Sequence, residues 1–254
     1  MKMFDIYVSI LIFFLTFGLL GWGLSLILKN VTHVDSMWAL FPLLGSLISI
    51  KAFPLNLIQI IFSLLILLWS LRLFIYLTKR NWGKHEDKRY QVIRKNNEPY
   101  FKYKSLYIIF GLQALMASVL MISIIPIYSE NLSLNPVSTI GIFIAFTGLV
   151  YESIADWQLS DFLKNKKGQV MNKGLWRFSR HPNYFGEFLV WWGIYLISFN
   201  GLFSITILSP ILMSLLLFKV SGAELLESTI VDRRQGYGNY IKTTSMFFPW
   251  FKKK

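Results

Sequence analysis

The sequence predicts an all-α, polytopic membrane protein of about seven transmembrane helices, with its N-terminus outside and its C-terminus cytoplasmic. Three observations predict it. Of the 254 residues, 54% are hydrophobic and 15% are charged, against about 45–50% and about 25% in soluble domains. The apolar residues gather in runs close to the ~20 residues a helix needs to cross a bilayer core. The 26 lysines and arginines, which bring the formal charge to +13, gather between those runs. The apolar content excludes disorder. With no cysteine, a disulfide scaffold and thiolate chemistry are excluded too. A basic excess on so apolar a chain points to a membrane and not to nucleic acid. No internal repeat is evident, and residues 1–254 are expected to form a single integral membrane domain.

Taken in order, residues 6–28 supply the first span. That run is too long for a signal peptide, and no small-residue cleavage site follows it. Residues 34–50 are a shorter second run, and Pro54 to Thr78 form the third. Residues 105–127 form the fourth, ended by the polar stretch YSENLSLNP, and residues 137–160 the fifth. Residues 183–199 and 202–220 make a hairpin broken at Asn200-Gly201. The second and sixth runs are the shortest. Helices are expected because backbone polar groups in lipid must be satisfied within the segment. A β-barrel needs alternating ten-residue segments, which are absent.

Twenty-two of the 26 basic residues fall in three segments: Lys79–Lys104, Lys164–Arg180, and Lys219 onwards. The turns at 128–136 and 199–203 carry none. The positive-inside rule therefore places those three segments in the cytoplasm. Lys2 and Lys51 fall on the opposite side.

Ionisable groups inside spans are costly and frequently functional. Asp35 heads the second span, where it serves either as an N-cap on the helix dipole or as an acid facing a cavity. Arg72 lies deep in the third span after Trp69, too far from the end to snorkel easily, and needs an anionic partner. Glu152 and Asp156, at i and i+4, share one face of the fifth span. No histidine stands at helical spacing from them, so no metal site is expected. The segment from Gly174 to Glu187, GLWRFSRHPNYFGE, is the densest motif. Pro182 suits a first helical turn. Arg180, Asn183 and Glu187 then share a face, with Arg177 and His181 at the mouth. Helix anchoring at the headgroups explains the arginines; a helix N-terminus ringed by arginines also suits a phosphate. Glu224 and Glu227, at i and i+3, either face cytoplasmic water or close the same cavity. His33 and His85 read as interfacial, and the aromatic, lysine-rich tail as a surface anchor.

These residues carry a family resemblance. GLWRFSRHPNYFGEFLVWWG, with ESIADWQLSDF upstream, SGAELLE and YGNYIKTTSMFFP downstream, and WSLRLFIYLTKR with HEDKRY in the middle, resembles a bacterial membrane family of unknown function related to the steroid 5α-reductase C-terminal domain. The likeness covers about residues 30–250. The Arg-His-Pro-x-Tyr core alone is shared with isoprenylcysteine and phospholipid methyltransferases and with sterol reductases. The resemblance implies a seven-helix enzyme holding NADPH in a cavity open to the cytoplasm. It implies a nucleotide site drawn from Arg72, Asp156, Asn183 and Glu187, with Glu152 where steroid reductases place an asparagine. Lys164, Arg177 and Arg180 would meet phosphates, and His181, Tyr184 and Glu224 complete the cofactor set. Asp35 matches the early acid of the steroid reductases. Their third-span tyrosine falls on Trp69, which donates one hydrogen bond but no phenolic proton. Tyr90 is the further candidate donor.

The expected activity is therefore hydride transfer from NADPH to an activated C=C bond of a lipid-like or steroid-like enone. Asp35, Trp69 and Tyr90 would act at the substrate, with Asp35 as a protonated acid. There is no GxGxxG segment, so no Rossmann domain is expected. The alternatives are an S-adenosylmethionine-dependent membrane methyltransferase and a non-enzymatic transporter or scaffold. The expected partners are a lipid-phase small molecule and membrane lipid. The expected location is a bacterial inner membrane, with the cofactor site facing the cytoplasm.

Overall fold

Two of the long helices, Leu57–Asn81 and Pro136–Asn165, start where a side chain caps them. Asn56 accepts from the Gln59 backbone N–H while the Gln59 side chain accepts from the Asn56 backbone N–H. Asn135 and Ser138 repeat that reciprocal cap one helix pair later, with Pro136 in the first turn. The computed structural model describes residues 3–130, 132–166, 168–199, 205–220, 227, 234 and 236–251. Among the described residues the chain is all-helical, with no strand. It divides into two compact units, Met1–Ser133 and Leu134–Lys254.

The first unit holds α1 (Met3–Leu28), α2 (Val34–Ala52), α3 (Leu57–Asn81), the short α4 (Lys88–Asn97), α5 (Phe101–Ser105) and α6 (Leu112–Ser129). A π-helical stretch, Leu106–Gly111, joins α5 to α6 into one apolar rod. Helix α2 packs on α1, α3 and α6 and is the most enclosed of the four long helices besides that rod. Helix α1 buries a single stripe, Ile6, Ile10, Phe14, Gly18, Gly21 and Ser25. The remaining faces of α1 and α3 expose large apolar side chains such as Phe4, Leu20, Ile27, Leu64 and Leu68. In water so much exposed apolar surface would be anomalous; in a bilayer it is the lipid-facing side.

The second unit holds α7 (Pro136–Asn165), α8 (Pro182–Ser198), α9 (Leu208–Leu215) and α10 (Tyr237–Thr243), with a 3-10 turn at Gly174–Arg177. Helices α7 and α8 form its closest pair. Helix association in lipid lacks a hydrophobic drive and depends on close backbone approach. Glycines supply it here. A Cβ on Gly148 would stand 2.5 Å from the Gly186 carbonyl oxygen, and one on Gly193 would stand 2.5 Å from the Ala145 backbone nitrogen. Gly186 in turn admits the Glu152 backbone, whose nitrogen would be 2.6 Å from an added Cβ. The glycines therefore bring the acid-bearing face of α7 onto the start of α8.

Five helices are long and apolar enough to cross a membrane: Met3–Leu28, Val34–Ala52, Leu57–Asn81, Phe101–Ser129 and Pro136–Lys164. They match the first five expected runs. The two further runs are shorter: α8 has 17 residues, and the other apolar stretch is Ile205–Lys219. At 1.5 Å per residue α8 is about 26 Å long, against a hydrocarbon core of about 30 Å. The Asn200-Gly201 break lies outside the described residues.

Candidate functional site

In the first unit the polar residues converge on Asp35. The N-cap of α2 is His33, which makes no side-chain cap bond, so Asp35 is not the cap but sits in the first turn. Its carboxylate turns sideways to α4. Tyr90 Oη donates to Oδ1 at 2.6 Å, and Arg89 Nη2 donates to Oδ2 at 2.7 Å. Arg80 Nη2, at the end of α3, lies 3.5 Å from the same Oδ2. Asp35 thus accepts on both oxygens, where the sequence had made it a protonated donor. The group in this cluster with a proton to give is Tyr90.

The HEDKRY segment builds that arrangement residue by residue. Glu86 takes a two-pronged bond from Arg94, at 2.8 and 2.7 Å, and accepts from the Val31 backbone N–H at 3.0 Å. This ties the loop before α4 to the turn before α2. Asp87 is the N-cap of α4 and accepts from the Arg89 backbone and side chain. Burial opposes ionisation of Asp87, but its bonds from Arg89 prevail and hold the carboxyl below its usual range. Burial likewise works against the Arg89 charge; Asp35 and Asp87 outweigh it and hold the guanidinium above its usual range. Tyr90 is buried, and burial, then the negative charge of Asp35, holds the phenol well above its ordinary pKa. Gln113 Nε2, from α6, reaches Tyr90 Oη at 3.4 Å. Trp69 is fully buried in α3, and Arg72, one turn on, is half-buried.

In the second unit Glu152, Asp156 and Glu187 are all buried, the first two on α7 and the third on α8. Asn183 and Tyr184 are half-buried in the first turn of α8. Arg180 is not directed outward. Its Nε and Nη2 grip both oxygens of Glu227 at 2.6 and 2.8 Å, and Nη1 donates to the Ile241 and Thr244 carbonyls at 2.9 and 2.7 Å. His181 Nε2 lies 3.0 Å from Glu227 Oε1, and its ring stacks on Tyr184 at 5.4 Å. Burial opposes ionisation of Glu227, yet the bonds from His181 and Arg180 prevail and lower its pKa. Burial, then the Glu227 charge, pushes the Tyr237 phenol up to about 12. Ser179 Oγ donates to the Phe247 carbonyl at 2.7 Å, and the Arg180 backbone N–H to the Ser245 carbonyl at 2.9 Å. Tyr240 donates to the Trp176 carbonyl. The Arg-His-Pro segment is thereby stitched to the chain around 240–250. Lys164 is exposed and pairs with Asp161 at 3.3 Å, and Arg177 is exposed beside the Phe178 ring. Glu224 lies outside the described residues. No group of three or more His, Cys, Asp or Glu able to hold a metal occurs among the described residues.

The structure thus joins Asp35 to Tyr90, and Arg180 to His181. It adds Arg89 and Gln113, and of the two acids Glu224 and Glu227 it turns Glu227 onto Arg180 and His181. Gln113 had a signal in the sequence, a lone amide within the apolar run YIIFGLQALMASVL.

Helices of this length, with buried ionisable groups and apolar outer faces, define a polytopic integral membrane protein. Within that class the chain belongs to the DUF1295 family, described as a protein of unknown function, whose pattern matches residues 21–244. It is similar to an uncharacterized protein of Schizosaccharomyces pombe, 27% identical over 206 residues that cover 69% of this chain and 59% of that protein. The chain therefore matches less than two thirds of the length of that relative. No solved structure matches it significantly.

Proposed function

We propose that this protein is an NADPH-dependent membrane reductase that adds hydride to the activated C=C bond of a lipid-like or steroid-like enone. The observation that carries the reading is the buried Tyr90 phenol, held by Asp35, with Asp35 held by Arg89. A phenol kept protonated in an apolar bundle is suited to meet a carbonyl oxygen as negative charge develops on it. Methyl transfer makes no such demand.

When bound, NADPH would supply the hydride and the two electrons of the reduction. The new C–H bonds form at the β-carbon, from hydride, and at the α-carbon, from a proton of water; the C=C π bond breaks. This chain's residues do the rest. Tyr90 turns its hydroxyl from Asp35 to the substrate oxygen and stabilises the enolate charge. Arg89 keeps Asp35 in place while that happens. The buried carboxylates Glu152, Asp156 and Glu187, with the Asn183 amide, are the polar set for the nucleotide, since carboxylates accept from ribose hydroxyls and a carboxamide N–H. Arg177 and Lys164 are the exposed cations for its phosphates. Arg180, engaged by Glu227 and two carbonyls, positions His181 and the start of α8. The resemblance of the ESIAD, EDKRY and SGAELLE elements to a membrane family related to steroid 5α-reductases supports the same reading. In this reading α8 and the 205–220 run are the sixth and seventh spans, and the basic loops face the cytoplasm.

Calorimetric titration of the purified protein tests it. NADPH is expected to bind, more weakly to E187Q and unchanged to K95A, while S-adenosylmethionine gives no heat. No binding of NADPH at millimolar concentration sinks the reductase reading. Binding of S-adenosylmethionine in its place points to a methyltransferase, and liposome flux without cofactor to a transporter.

A further inference from the structure

Gln113 stands in the first turn of α6, inside the apolar rod Phe101–Ser129. Tyr90 has one hydroxyl proton and gives it to Asp35. Only the N–H end of the Gln113 amide is therefore attracted to the phenol oxygen, which fixes the orientation of that amide. Gln113 Oε1 consequently points away from Tyr90, one amide width from the atom that touches it. It is buried and has no hydrogen-bond partner among the described residues. A second acceptor is left in the same way near Phe110, one turn before Gln113. His33 Nε2 lies 2.9 Å from the Gly21 carbonyl oxygen and must donate to it. In the neutral ring His33 Nδ1 is then an acceptor, and it too is buried without a partner. The two rings, of His33 and Phe110, are 5.5 Å apart. Phe110 belongs to an apolar cluster with Val34, Met37, Ile109 and Tyr90. Buried acceptors without donors are rare and costly, and so call for an explanation.

We infer that Gln113 is a specificity-determining residue of the Tyr90 site: the lipid-phase substrate carries a hydrogen-bond donor, a hydroxyl or N–H, beside the carbonyl oxygen that Tyr90 meets, and Gln113 Oε1 accepts from it. This rests on the reading of Tyr90 as the carbonyl-binding group. The adjacent phenol proton and amide oxygen form a donor–acceptor pair. A carbonyl with a donor on the neighbouring carbon is its complement.

The test uses two probes that differ by one hydroxyl, 3-dodecylcyclohex-2-enone and its 2-hydroxy derivative, with binding measured on the full-length protein in detergent. The unaltered protein is expected to prefer the hydroxy-enone about tenfold, the worth of one buried hydrogen bond. Gln113→Leu and Gln113→Met are expected to lose that preference. Tyr90→Phe is expected to weaken both probes. Two variants of different shape guard against misfolding, and their thermal transitions should match that of the parent. Equal binding of the two probes by the unaltered protein, or a preference that survives both Gln113 variants, overturns the inference and leaves the Tyr90 reading standing. Failure of both probes to bind, or indifference of both to Tyr90→Phe, overturns the Tyr90 reading and this inference with it.

Discussion

Tyr90, Asp35 and Arg89 depend on one another, so their removal should register in stability as well as in activity. Tyr90→Phe deletes a hydroxyl bonded to a carboxylate at 2.6 Å. A bond to a charged group contributes about 1.5–3 kcal/mol, and the variant should melt correspondingly lower in detergent; an unchanged transition would show that the bond does not form. Glu227 gives a sharper case. Arg180 is buried, and E227Q leaves its guanidinium without a counter-charge. Breaking a buried pair costs about 3–5 kcal/mol. The pH dependence follows from the lowered pKa of Glu227, whose ordinary value is 4.5. A group depressed on folding contributes stability that is complete above its unfolded value and is lost as pH falls through the folded one. The melting temperature should therefore hold steady above about pH 4.5 and fall below it. E227Q should lack part of that fall, and an equal fall in both proteins would remove Glu227 from the account. The sequence marked Asp35, Arg180 and His181 as unusual through local signals, charge in an apolar run and a dense motif, and Tyr90 only through the family resemblance. It did not disclose that Tyr90 lies on Asp35, 55 positions away, or Arg180 on Glu227, 47 away. Those pairings are made by helix packing and leave no mark in local spacing.

Helix boundaries were more legible, because apolar length and caps are local properties. The first five runs appear where expected, and Pro182 opens α8 as its position in the motif predicts. Helix α3 continues past Thr78 to Asn81, which carries Arg80 to Asp35. The π-helical stretch at Leu106–Gly111 was not foreseen, since nothing in side-chain pattern distinguishes it from α-helix. The glycines of α7 and α8 were visible, but not which helix each one admits. That contact is testable. Gly148→Ala sets a Cβ against backbone atoms that cannot swing away, and overpacking of this kind costs about 1–3 kcal/mol. Gly23→Ala, with nothing within 4 Å, is the control and should cost nothing. Equal thermal stability of both variants would refute the close approach of α7 and α8.

At the scale of the whole molecule, the absence of cysteine makes the proposed orientation directly measurable. Single cysteines at exposed positions, Lys84→Cys, Lys173→Cys and Leu134→Cys, can be probed with an impermeant maleimide in sealed right-side-out vesicles. Leu134→Cys should label and the other two should not until the membrane is opened; the reverse pattern would invert the topology. The apolar runs foretold membrane residence, and the charge pattern supplies the sidedness that this labelling tests. Chemistry was legible only as far as residue types allow, for a carboxylate, an arginine and a phenol do not by themselves name a reaction. The central claim is reduction by NADPH at a site served by Tyr90. It is tested most directly by following the absorbance of reduced nicotinamide when the purified protein meets an extract of membrane lipids. The account predicts steady loss of NADPH with the unaltered protein, and at least a hundredfold slower loss with Tyr90→Phe, about 2.7 kcal/mol of transition-state stabilisation, although that variant still binds NADPH. Unchanged consumption by Tyr90→Phe, or none by the unaltered protein, would contradict it.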